Sequence, residues 1–148
     1  MLRSVAAILI LALATTNATG ALAGFHTFTS AKSISGPLMI RHCNFEAYAT
    51  TSKEKGPSGD YVWNVVPALN GKAGAVSLQS SNFRTKYLTL ITKEEDGRLG
   101  VVEAPNKDDA SFALVANADN TTSFQSLCGS HKGHFITLST KLQGGCSK

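Results

Sequence analysis

From residue 24 onward, apolar and polar positions alternate in short runs, and no stretch carries a helical period. Three runs are alike: Leu38-Met39-Ile40-Arg41, Lys86-Tyr87-Leu88-Thr89 and His134-Phe135-Ile136-Thr137. A short motif precedes each of them: Phe28-Thr29-Ser30, Leu78-Gln79-Ser80 and Phe124-Gln125-Ser126. The three serines are 50 and then 46 residues apart. Alternation of this kind puts every second side chain on one face of a strand. Further strands are expected at Tyr61-Val62-Trp63-Asn64-Val65-Val66-Pro67 and at Ser111-Phe112-Ala113-Leu114-Val115. A hairpin is expected between 88–91 and 99–102, turning at Glu94-Glu95-Asp96-Gly97. Asn70-Gly71-Lys72-Ala73-Gly74 reads as a tight turn, and residues 53–59 as a longer one.

A unit of this length that returns twice, built of short strands, implies an all-β fold closed by pseudo-threefold symmetry, a β-trefoil. Units one and two each close on an Asp, two spacer residues and a large aromatic: Asp60 with Trp63, and Asp109 with Phe112. Trp63 and Phe112 sit on alternating apolar strands and are expected in the core. The third unit runs only from Thr122 to Lys148 and lacks the closing Asp–aromatic strand, so the third pseudo-repeat reads as truncated. Unpaired sheet edges are the expected consequence.

The first 23 residues follow a different pattern. Arg3 precedes an apolar stretch from Val5 to Ala14, and Ala21-Leu22-Ala23 is a small-x-small cleavage site. Residues 1–23 are therefore expected to be a signal peptide, too short in its apolar part to span a bilayer. Residues 24–148 would form one secreted, extracellular domain without a membrane anchor. The net charge of +4 is scattered, with no basic run, which excludes a nucleic-acid partner. Three cysteines lie beyond the signal: Cys43, Cys128 and Cys146. An oxidising compartment favours a disulfide. Three single pairings are open, and Cys128–Cys146, within the third unit, is the first choice. No C-x-x-C spacing is present, and neither a metal nor a cofactor is expected. Asn120-Thr121-Thr122 is a glycosylation sequon in a turn-rich segment. His131 and His134 flank Lys132-Gly133 in a turn and are expected to be solvated.

Two groups of residues carry a family likeness. One is Met39-Ile40-Arg41-His42-x-Asn44-Phe45 followed by Asp60-x-x-Trp63. The other is Ser77-Leu78-Gln79-Ser80-x-Asn82-Phe83-x-x-x-Tyr87-Leu88 followed by Asp109-Ala110-Ser111-Phe112. They resemble the arabinose-binding domain of family-B α-L-arabinofuranosidases, a β-trefoil, over about residues 25–138, nearly all of the chain beyond the expected signal. The resemblance implies recognition of L-arabinofuranosyl side chains on arabinoxylan or arabinan, with a separate glycoside hydrolase as a further partner. It also implies a sugar pocket in each lobe made of a His that ends the second strand and an Asp before the aromatic. His42 and Asp60 match both positions in the first lobe. Asp109 matches in the second, where Leu90 stands in place of the His, and the third lobe matches neither.

A carboxylate accepting hydroxyl protons beside an imidazole can orient a furanose, and Tyr48 or Tyr61 could cover its C–H edge. The competing assignment for Asp60 and Asp109 is an Asx turn that starts the strand. A glycosidase needs two carboxylates across a cleft, and no acidic residue here lies in a motif that marks a nucleophile or an acid. No catalytic residue is therefore assigned. The alternatives are α-L-arabinofuranosidase activity by family association, and a degenerate trefoil that binds protein.

Overall fold

The computed structural model describes residues 22–30, 38–51, 58–91, 97–127 and 131–136. Over these residues the chain forms nine strands: β1 (Gly24–His26), β2 (Leu38–Cys43), β3 (Glu46–Thr51), β4 (Trp63–Pro67), β5 (Ala75–Ser80), β6 (Lys86–Leu90), β7 (Leu99–Glu103), β8 (Phe112–Ala116) and β9 (Thr122–Ser126). All pairings are antiparallel, in the order β1-β4-β5-β6-β7-β3-β2, with β8 joined to β5 and β9. No helix among the described residues is long and apolar enough to cross a membrane.

The expected strands form, with two differences. Of the run 134–137, the described residues make only an isolated bridge, Phe135 to Gln125. Tyr61 does not belong to the strand that carries Trp63; it ends a 3-10 turn, Ser58–Tyr61, which buries Asp60. Val62 N–H closes that turn by donating to the Gly59 carbonyl, so the ladder begins only at Trp63. The hairpin β6–β7 pairs Lys86 with Glu103 through Leu90 with Leu99, as the alternation implies. The acidic turn 94–96 lies outside the described residues, as do 1–21, most of the expected signal peptide, and 137–148, the end of the third unit.

Sequence recurrence reappears as recurrence of contacts. Thr29 bridges Met39, Gln79 pairs with Tyr87 and Gln125 bridges Phe135, so the same pair is made once per unit. Alternation then fixes which side chains turn inward. Phe28, Leu78 and Phe124 form one set of equivalent core positions, and Ile40, Leu88 and Ile136 a second. Leu78 and Leu88 are fully buried. Trp63 and Phe112, expected in the core, are 0 % and 2 % exposed. Burying side chains of this size contributes roughly 1.5–3 kcal/mol each.

One expectation changes. His131 is buried rather than solvated, while His134 is exposed and meets it edge to face at 5.6 Å. Gly97, with φ +47, leaves the room: a Cβ there would lie 3.2 Å from the His131 ring. Cys43 is disulfide-bonded. Cys128 and Cys146 lie outside the described residues.

Candidate functional site

The strand β2 ends in a two-residue turn, Asn44-Phe45, before β3 returns. Both residues have positive φ, +49° and +63°, the backbone of the turns that match the twist of a hairpin. Asn tolerates this conformation; a bulky Phe is an outlier there, costing on the order of 1 kcal/mol. The turn holds Phe45 at the surface, 47 % exposed. Phe83 meets it edge to face at 5.6 Å and is 41 % exposed. The Lys86 ammonium stands 4.4 Å above the Phe45 ring, a cation–π distance.

Beneath this aromatic pair lies a buried polar cluster drawn from two lobes. Alternation along β2 places Ile40 in the core, and the 3-10 turn brings Asp60 up to His42. Asp60 Oδ2 accepts from the Arg41 guanidinium at 3.3 Å, and its Oδ1 accepts from Asn82 Nδ2 at 3.0 Å. The Asn82 Oδ1 atom accepts from the Ser80 hydroxyl at 2.7 Å and lies 2.9 Å from His42 Nε2. Ser80 Oγ is also 3.0 Å from His42 Nε2 and accepts from the Phe83 N–H. With the Ser80 proton directed to Asn82, Nε2–H is the donor and His42 Nδ1 keeps its lone pair. That Nδ1 is 4.0 Å from Asp60 Oδ1. Two acceptors at this separation do not bond each other, but one hydroxyl between them can reach both. The His42 ring packs edge to face on Trp63 at 5.6 Å and on Phe83 at 5.7 Å.

Electrostatics agree with the neutral imidazole. Burial holds the His42 pKa below its ordinary 6.5; the Asn82 hydrogen bond and the Asp60 carboxylate pull it up, Arg41 adds to the lowering, and burial prevails. The folded state therefore resists protonation at this site. At pH above 6.5 the imidazole is neutral folded and unfolded, and its environment costs nothing. As pH falls below that value the unfolded chain takes up the proton first, and stability drops until the lowered folded pKa is passed. Thermal midpoints measured from about pH 7.5 to about pH 5 are expected to fall, and His42→Gln to flatten that slope. Equal slopes for the two proteins would show that His42 is not the group responsible.

Of the residues expected to bind sugar, His42 and Asp60 are brought together. Tyr61 follows Asp60 in the 3-10 turn, half-buried, with the Arg41 guanidinium carbon 5.4 Å from its ring centre. Tyr48 pairs with Arg41 across β2–β3, and its side chain lies outside the described residues. Asp109 lies in the second lobe, where its carbonyl accepts from Leu90 N–H at 3.1 Å. Leu90 occupies the sequence position that His42 has in the first lobe. Asn120 is exposed, at φ +62 in the turn between β8 and β9.

Sequence reasoning missed Arg41, Ser80, Asn82, Phe45 and Phe83 as members of the site. Ser80-x-Asn82-Phe83 was visible as a motif; that it closes over the histidine of the preceding lobe is a fact of three-dimensional neighbourhood.

No family model and no curated protein sequence matches this chain. Solved structures do. A GH54 α-L-arabinofuranosidase soaked with a cyclic sulfate inhibitor matches with a TM-score of 0.57 and 16 % identity, over 79 % of this chain and 24 % of that one. An arabinofuranosidase complexed with arabinofuranosyl-α-1,2-xylobiose gives the same values. This chain thus spans about a quarter of the length of those enzymes. The BEL β-trefoil in an apo crystal form matches with a TM-score of 0.58 and 12 % identity, over 79 % of this chain and 77 % of that one. On that likeness, and on cross-strand pairs that recur once per unit, the chain folds as a β-trefoil.

Proposed function

We propose that the chain is a carbohydrate-binding domain that recognises L-arabinofuranosyl groups on polysaccharides such as arabinoxylan or arabinan. It would act outside the cell after removal of residues 1–23, and would bring a separate glycoside hydrolase to its substrate. The observation that carries this reading is the 4.0 Å gap between His42 Nδ1 and Asp60 Oδ1, two acceptors beside the exposed Phe45–Phe83 pair. A sugar hydroxyl donating into that gap gains charge-assisted bonding, and the rings cover the C–H edge of the furanose. The likeness to arabinofuranosidase structures, one of them holding an arabinofuranosyl ligand, supports the choice of sugar. A site this small binds weakly.

The positive φ of Phe45 supplies a variant that separates binding from folding. Phe45→Gly relieves the backbone strain and removes the ring. Affinity electrophoresis is expected to show retardation on arabinoxylan but not on debranched xylan. Phe45→Gly is expected to weaken it about fivefold, from the loss of about 1 kcal/mol of ring contact, with thermal stability unchanged or higher. Equal retardation on both polymers, or none on either, would refute arabinose recognition. Unchanged retardation by Phe45→Gly would remove the aromatic pair from the site. Asn120, exposed beside Thr121 and Thr122, is proposed as a glycan acceptor on the same secreted domain.

A further inference from the structure

Asn82 joins two groups with opposite needs. Its amide nitrogen donates to Asp60 Oδ1 at 3.0 Å. Its carbonyl oxygen accepts from Ser80 Oγ at 2.7 Å and lies 2.9 Å from His42 Nε2. A primary amide carries its donors on one atom and its acceptor lone pairs on the other. Turned over, this one would set its oxygen against the carboxylate, so Asp60 decides which way it points. The Arg41 guanidinium holds the other carboxylate oxygen at 3.3 Å. Orientation thus passes from the ion pair to Asn82 and from Asn82 to the imidazole, whose Nε2 carries its proton toward the amide oxygen.

The backbone is shaped for this approach. Gly59 precedes Asp60 in the 3-10 turn, and a Cβ on it would lie 3.0 Å from Asn82 Cβ and 3.3 Å from Asn82 Nδ2. Carbon atoms that close repel, so the turn meets Asn82 as glycine alone allows. Ser81 fastens the same junction: its hydroxyl donates to the Gly59 carbonyl at 2.9 Å, and its N–H to the Val62 carbonyl at 3.2 Å.

Both atoms that border the gap are then acceptors, His42 Nδ1 and Asp60 Oδ1, 4.0 Å apart. A hydroxyl that donates satisfies them. An ether or ester oxygen brings lone pairs alone, and both acceptors lose water for no bond in return.

We propose that Asn82 is the positioning and specificity-determining residue of this site: by locking His42 in its Nε2–H form, it restricts the ligand to a sugar that presents an unsubstituted hydroxyl. The proposal rests on the arabinofuranosyl reading above and narrows it, since groups whose hydroxyls are etherified or esterified are rejected. Without Asn82 the Ser80 hydroxyl loses its acceptor and turns its proton onto Nε2. The imidazole proton then sits on Nδ1, facing Asp60, and the gap closes.

The test is nitrogen NMR of the purified chain with isotope-labelled histidine, at about pH 8, where the ring is neutral. His42→Gln assigns the His42 signals. The parent and Ser80→Ala are expected to show the Nε2–H form alone, and Asn82→Leu to show the Nδ1–H form. A parent ring protonated on Nδ1, or a Ser80→Ala ring that changes form, would overturn the lock even if Asn82→Leu does not fold. An Asn82→Leu ring that keeps the parent form would do the same. The same signals are then followed during addition of methyl α-L-arabinofuranoside and of its fully O-methylated derivative. The free sugar is expected to shift them saturably, and the capped one to bind at least about tenfold more weakly. Equal responses would overturn the hydroxyl requirement and leave arabinose recognition standing. Response to neither sugar, with the tautomer locked, would instead overturn the arabinose reading itself.

Discussion

Trp63→Ala is expected to destabilise the chain by about 3–5 kcal/mol, a large share of the 5–15 kcal/mol typical of a folded domain. The indole is fully buried, and its Nε1–H donates to the Ile40 carbonyl at 3.1 Å. Truncation therefore opens a cavity and orphans a carbonyl together. The neighbouring strands cannot collapse to fill the space, because β4 is pinned on both sides, by β1 through three residue pairs and by β5 through five. Loss of Trp63 also removes the face against which His42 stands at 5.6 Å, so the polar cluster loosens with the core. Trp63→Phe separates the two costs: most of the ring volume stays and the N–H is lost, for roughly 1–2 kcal/mol. Denaturant unfolding of the three proteins checks the order. An alanine variant within about 1 kcal/mol of the parent would mean that Trp63 is not the closing aromatic of its lobe.

The two-residue period made the barrel legible before any coordinates, and it did so for a physical reason. Every strand has one face on the core, so Phe28, Leu78 and Phe124 had to turn the same way, as did Ile40 and Leu88. Trp63 and Phe112 followed from the same alternation. What alternation cannot give is the partner across a lobe boundary. His42 and Asp60 were nameable only because they match the positions that the family resemblance marks, whereas Asn82 is 40 residues from His42 and reaches it only through the β4–β5 pairing. Tyr61 looked like the start of a strand because it continues an apolar run, but the carbonyl of Gly59 takes the Val62 amide first and makes a turn. His131 looked solvated because its neighbours Lys132 and Gly133 are polar; the space that buries it belongs to Gly97, on another unit.

Asp60→Ala is expected to cost about 3 kcal/mol of stability, and the reason bears on how any binding assay must be designed. The carboxylate accepts from Arg41 and from Asn82, and the Arg41 side chain is only 8 % exposed. Removing one member of a buried pair is typically worth about 3–5 kcal/mol, and here Arg41 loses the carboxylate at 3.3 Å. Arg41 also lies over the Tyr61 ring, which places the effect at the lower end of that range. Replacing the pair together, Arg41→Met with Asp60→Ala, is expected to recover more than half of the loss, since apolar side chains of similar volume need no counterion. If the double variant is as unstable as the sum of the singles, the pair is not coupled and Asp60 acts on the fold through its turn alone. Asp60 thus ties the 3-10 turn to β2 and, through Asn82, ties lobe one to lobe two. The same oxygen that accepts from Asn82 is the one facing His42 across 4.0 Å. A carboxylate fixed by two donors is held still for a third, so the contacts that stabilise the lobe junction also set the position at which a sugar hydroxyl would be met.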